Sequence, residues 1–175
     1  MRITKMATGI VAAFTGLIMA GGMLAAAAPA SANTNDGYVS GAGIIGDDWG
    51  DEGTISTASY SSSNATCLWQ RVLWAEGLLS YASIDGIFGP NTKAATESFQ
   101  GRYSDLTNDG KAGPNTWGKA DNKFTNKQTY ADGSGTATYS GSFSSFTITR
   151  GTDGRHRWFQ DGATRAGGYN YRSCS

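Results

Sequence analysis

The spacing of apolar residues changes character twice along the chain. In "ATCLWQRVLWAEG" (65 to 77), Trp69, Val72, Leu73 and Glu76 fall at i, i+3, i+4 and i+7. That spacing puts three apolar groups and one carboxylate on one face of a helix. Thr66 is the expected N-cap and Gly77 the expected stop. From 121 onward the period shortens to two. Phe146-Thr147-Ile148-Thr149 alternates, and Gly or Asp-Gly turns separate such runs, which predicts short antiparallel strands in hairpins. Few aliphatic residues occur there, so this region is expected to lean on the helical part rather than fold alone. Residues 33–65 are rich in Gly, Ser, Thr and Asn. That composition is expected to bury little and reads as a leader or linker, with "TISTASY" (54 to 60) as a weak edge strand.

Between the two periods the chain repeats itself. Asp85-Gly-Ile-Phe-Gly-Pro-Asn-Thr92 returns 24 positions later as Asp109-Gly-Lys-Ala-Gly-Pro-Asn-Thr116, with six identities in eight positions. Asp-Gly marks a turn, because Asp bonds its own backbone and Gly supplies positive φ. Gly-Pro-Asn-Thr then opens a helix, with Pro at the first position, where no N–H is needed. Helices are expected from the first copy to about Arg102 and, in a shorter form, from the second to Ala120. Packed on helix 65–77, they would share Trp69, Leu73, Phe88, Phe99 and Trp117 as a core. The glycines and prolines of the repeat set backbone angles and carry no chemistry.

The first residues bear on compartment. Arg2 and Lys5, an uncharged run from Met6 to Ala28, and Ala30-Ser31-Ala32 have the layout of a secretory signal peptide, with release expected after Ala32. The run is also just long enough to span a bilayer, so an uncleaved anchor is the alternative. The chain holds 14 basic and 14 acidic residues, and loss of Arg2 and Lys5 leaves 12 against 14. Asp36, Asp47, Asp48, Asp51 and Glu52 stand in 33–66 without a Lys or Arg, whereas 121–175 hold seven basic and four acidic groups. An acidic leader and a basic tail invite contact with each other. "GDDWGDEG" (46 to 53) has acids enough for calcium but not the spacing of a calcium loop, so a solvated turn is expected. The Lys/Arg density is not that of a nucleic-acid binder.

Cys67 and Cys174 are the two cysteines, and in an exported chain they are expected to pair. Trp74 is about 140° around the helix from Trp69 and on the same side as Cys67. A Cys67–Cys174 bond would bring "GGYNYRSCS" onto that side, so Trp74 is expected to be buried beneath Tyr169 and Tyr171.

The stretch from Cys67 to Ala120 resembles the peptidoglycan-binding domain of bacterial cell-wall hydrolases, a three-helix module. Asp85, Gly86, Phe88, Gly89, Thr92, Ala95, Phe99 and Gln100 match its central signature. Asp109, Gly110, Gly113, Pro114, Thr116 and Trp117 match its closing one. Two departures stand out: "SDLTNDG" is polar where the family often carries a Leu-x-Val-Asp-Gly run, and Cys67 is unusual. Nothing comparable is found from 121 onward. The resemblance implies a module that holds an exported protein on peptidoglycan, through stem peptide or glycan.

The expected architecture is α+β: signal peptide 1–32, acidic leader 33–65, binding module 66–120 and a β-rich region 121–175 tied back by the disulfide. Ligand-binding candidates are Tyr81, Asp85, Asn91, Gln100 and Trp117. Each has a plainer role open to it, Asp85 as a turn former and Trp117 as core. Polar groups at a helix start, such as Asn91, are suited to a stem-peptide carboxylate. Catalysis finds little support. His156 is the only histidine and is expected to be a surface or strand residue beside Arg155 and Arg157. One histidine does not make the usual zinc set. Asp121, Asp132, Asp153 and Asp161 sit mostly at turns rather than as an opposed pair of carboxylates. The expectation is a non-catalytic protein that needs no cofactor, binds no metal or nucleic acid, and is free of the membrane once cleaved. A secreted interaction or inhibitor protein, with the β region meeting a protein partner, is the alternative, and a small wall hydrolase is a third reading.

Overall fold

The computed structural model describes residues 34–174, so the expected signal peptide lies outside the described residues. Three helices, α1 (Asn64–Ala75), α2 (Pro90–Gln100) and α3 (Pro114–Asp121), precede five strands. The strands are β1 (Phe124–Thr129), β2 (Gly135–Ser140), β3 (Ser145–Arg150), β4 (His156–Gln160) and β5 (Ala163–Ala166). They pair in chain order as an antiparallel meander. The α+β expectation is met, and Cys67 is bonded to Cys174.

Helix α1 is capped three residues earlier than Thr66. Ser63 takes the extended backbone of a cap, and its Oγ accepts from Thr66 N–H at 3.1 Å. The first helical N–H groups have no partner inside the helix. Here the end of the chain supplies them: Asn64 N–H donates to the Tyr171 carbonyl at 2.8 Å and Ala65 N–H to that of Gly168 at 2.9 Å. Gly77 ends the helix at φ +73°, with its N–H on the Trp74 carbonyl and that of Leu78 on Leu73. These two bonds form a Schellman close, which favours Gly at this left-handed position.

The predicted core residues Trp69, Leu73, Phe88, Phe99 and Trp117 are all buried. The core does not stop at the helices. Trp69 meets Phe99 and Trp117 edge-on at 5.3 and 5.0 Å, and Trp117 meets Trp49 at 5.2 Å. Trp49 then touches Phe124 at 4.6 Å, and Tyr139 stacks on Phe146 at 5.3 Å beneath the sheet. Strands β2, β3 and β4 point Ala137, Tyr139, Phe146, Ile148, His156 and Trp158 inward, the period-two alternation expected of a half-buried sheet.

Trp49 belongs to the stretch expected to bury little, and that expectation is overturned. Val39, Ile45, Trp49 and Ile55 are fully buried. Polar composition hid four large apolar groups spaced widely enough to show no period. No strand forms over 54–60; a single antiparallel bridge joins Ile55 to Ala112.

Of the acids of 46–53, Asp47 is exposed in a turn as expected, but Asp48 and Glu52 are buried. Asp48 lies in the core, where Arg150 Nη1 contacts both of its oxygens at 2.8 and 2.7 Å and His156 Nε2 reaches Oδ2 at 2.7 Å. Glu52 accepts from the Tyr169 hydroxyl at 2.6 Å and from Ser40 N–H at 2.8 Å. His156 is in strand β4 but fully buried, which corrects the surface part of its reading. Its Nδ1 accepts from Trp49 Nε1 at 3.3 Å, so Nε2 is the nitrogen that donates to Asp48. The acidic stretch and the basic tail do meet, through Asp48 and Arg150 and through Arg155 stacked 3.8 Å over the Tyr38 ring.

Candidate functional site

Each Asp-Gly loop is held by one glutamine. Gln70 Oε1 accepts from Asp85 N–H at 3.1 Å and Gly86 N–H at 2.7 Å, while its Nε2 reaches Asp85 Oδ1, the Ile87 carbonyl and Thr92 Oγ1. Gln100 repeats the arrangement: Oε1 accepts from Gly110 N–H at 2.9 Å, and Nε2 reaches Asp109 Oδ1, the Lys111 carbonyl and Thr116 Oγ1. Gly86 and Gly110 stand at φ +72° and +69°, the turn conformation that calls for Gly. Asp85 and Asp109 each accept from the N–H two residues on. The two copies are therefore one clamp built twice.

What lies over the copies differs. The disulfide and Arg172 pack against Gly86, and Arg172 Nη1 donates to the Asp85 carbonyl at 2.9 Å. Lys93 and Glu97 of α2 take that place at Gly110. A polar groove of about 330 Å³ opens at the second loop, lined by Thr54, Thr107, Asp109, Lys111 and Asn115 among others. A second polar hollow of about 410 Å³ adjoins it, sharing Leu106, Pro114 and Asn115. Helix α3 begins there with Gly113 as its cap, and no side chain closes its first turn.

A third groove, of about 490 Å³, is aromatic and apolar. Trp74, Leu78, Leu79, Ser80 and Tyr81 line it from the helical side and Phe143 from the β2–β3 turn. Trp74 is here, only partly buried, and not under the chain terminus. Its neighbours are Tyr81, edge-on at 5.3 Å, and the Arg71 guanidinium at 5.6 Å. The reason is axial distance. Cys67 and Trp74 do share a side, but seven residues of helix separate them by about 10 Å. The terminal strap crosses the first turn of α1, where Asn64 bonds Ser173, and Tyr169 turns to Tyr60 and Glu52.

The five ligand candidates are thus scattered. Gln100 and Trp117 are buried, the one inside its loop clamp, where it also lines the polar groove, and the other in the aromatic core. Asp85 is the turn former, Tyr81 borders the aromatic groove with its hydroxyl on Asp161 at 2.9 Å, and Asn91 is exposed at the start of α2. Asn115, the counterpart of Asn91, lines both polar hollows and was not singled out. The repeat itself carried that signal.

The buried acids shape the electrostatics without facing any groove. Burial pushes the Glu52 carboxyl up to about 8, against the hydrogen bonds from Tyr169 and Ser40. Burial likewise raises Asp121, which accepts from Trp49 N–H at 3.0 Å, to about 6. Burial opposes ionisation of Glu76 too, but hydrogen bonds from Lys123, Tyr139 and Ser142 hold it below the usual carboxylate range. Asp132 and Asp153 serve turns, each accepting from the N–H two residues on.

No curated protein matches the chain, and no solved structure does. Residues 62–119, the segment that runs from the cap of α1 into α3 and holds both Asp-Gly loops, match the family described as "Putative peptidoglycan binding domain".

Proposed function

We propose that this is an exported, non-catalytic protein that attaches to bacterial peptidoglycan through residues 62–119. The family match of that segment carries the reading. The polar groove at the second loop supports a place for the stem peptide, which presents carboxylates and amides. Lys111 offers a cation, Thr54 and Thr107 offer hydroxyls, and Asn115 offers an amide. The open first turn of α3 adds N–H groups suited to an anion.

The buried charges favour holding over turnover. A general acid or base must come within hydrogen-bond reach of the bond it acts on. Asp48, Glu52, Glu76 and His156 are instead closed in the interior and engaged with protein partners, and Asp109, the carboxylate in the polar groove, is engaged by Lys111 N–H and Gln100 Nε2. The test mixes the mature, oxidised chain with purified sacculi, pellets them, and assays both protein and released fragments. Retention without released sugar or peptide is expected, and Asn115→Trp, which fills the polar groove, should weaken retention. Released fragments would make the protein a hydrolase, and absence of retention would sink the wall-binding reading.

A further inference from the structure

The aromatic groove has no part in the loop clamps, and its chemistry differs from that of the polar one. Trp74, Leu78, Leu79, Ser80 and Tyr81 lie within the matched segment, whereas Phe143 comes from the β region outside it. Tyr81 is 41% exposed and Phe143 72% exposed, so both rings stand open to solvent. They are nonetheless held in place. Phe143 N–H and Ser144 N–H both donate to the Ala75 carbonyl, at 2.8 and 2.9 Å, and Ser142 Oγ donates to Glu76 at 3.0 Å. The hairpin tip is thereby fastened to the end of α1. Tyr81 is fixed by its hydroxyl on Asp161 and by its edge-on contact with Trp74.

We infer that this groove is a sugar-binding subsite that stacks a pyranose ring of the glycan strand, with Phe143 and Tyr81 as its aromatic walls. The inference rests on the wall-binding reading and divides the polymer between the two grooves. A pyranose has an apolar C–H face and a rim of hydroxyl and acetamido groups. The groove answers with rings for the face, and with the Ser80 hydroxyl, the Tyr81 hydroxyl and the Asp161 carboxylate at its margin. Its lining residues are uncharged, and the charges beside it, Arg71 at Trp74 and Asp161 on the Tyr81 hydroxyl, are of opposite sign, which suits a neutral acetylated sugar better than a carboxylate-bearing peptide. The Tyr81 ring, already fixed by Trp74 and Asp161, and the Phe143 backbone, already fastened to α1, lose little freedom on binding. The β region thereby gains a role: it supplies one wall of the ligand site.

The experiment compares the full mature chain with Phe143→Ala and Phe143→Trp on two probes. One probe is intact sacculi, and the other is glycan strands stripped of stem peptide by an amidase. Phe143 is largely exposed, so the variants should keep the wild-type melting temperature, which is checked alongside. Wild type should bind both probes, Phe143→Ala should weaken binding to stripped glycan roughly three- to tenfold, and Phe143→Trp should restore it. Binding to intact sacculi but not to stripped glycan overturns the inference and leaves the wall-binding reading standing. Unchanged affinity of Phe143→Ala for glycan also overturns it. Failure of the wild type on both probes removes the wall-binding reading and the subsite together.

Discussion

Gln100, matched to a family signature, holds its loop together from inside the wall of the polar groove that it helps line. Its amide is spent on one loop, and Gln70 does the same for the other. Gln100→Ala should strand Gly110 N–H and its neighbours inside the protein and cost about 1–3 kcal/mol, read as a lower urea midpoint. Gln70→Ala should behave alike, and a variant at either site with an unchanged midpoint would contradict the clamp. Glu52 gives a pH signature. Its folded value of about 8 lies above its ordinary 4.5, so the folded state binds the extra proton. Its contribution is fully present below about pH 4.5 and is lost as pH rises through 8. Urea midpoints should therefore fall from pH 5 to pH 9, and Glu52→Gln should flatten that slope. Asp85 and the turn aspartates were legible in the sequence, because an Asp-Gly pair carries its own local explanation. Glu52 and His156 were not, because their partners Tyr169 and Asp48 lie more than a hundred residues away and have no local signature.

Among the elements, the period of α1 and the Gly-Pro starts of α2 and α3 were readable, since they follow from local spacing and from the fixed φ of proline. The cap of α1 was misplaced by three residues because both Ser63 and Thr66 are cap-type residues. What selects Ser63 is the terminal strap, whose carbonyls take the N–H groups of Asn64 and Ala65. The strap acts on the first turn and not on Trp74 two turns on, a matter of rise along the axis that a view down the helix leaves out. The bond from Cys67 to Cys174 closes a separation of 107 residues, worth up to about 4.7 kcal/mol in the chain-entropy account. Cys174→Ser should lower the melting temperature and raise amide exchange first at Asn64 and Ala65. Equal loss of protection along all of α1 would show that the strap is not a local fastening.

On the scale of the whole molecule, Trp49 joins the helical module to the sheet. It touches Trp117 on one side and Phe124 on the other, and its N–H groups reach Asp121 and His156. The segment from 34 to 61 thus contributes Val39, Ile45, Trp49 and Ile55 to the core, which its Gly- and Ser-rich composition concealed. Trp49→Ala should cost about 3–5 kcal/mol and lower the helix and sheet signals together; separate transitions would mean that the two parts fold independently. The polar groove at the second loop and the aromatic groove at the end of α1 are the two places proposed to meet the polymer. The measurement that bears on that proposal most directly is a binding isotherm of the mature, oxidised chain on purified sacculi. Small open grooves predict saturable binding with a Kd in roughly the micromolar to millimolar range. No saturable retention at any concentration would contradict peptidoglycan as the partner.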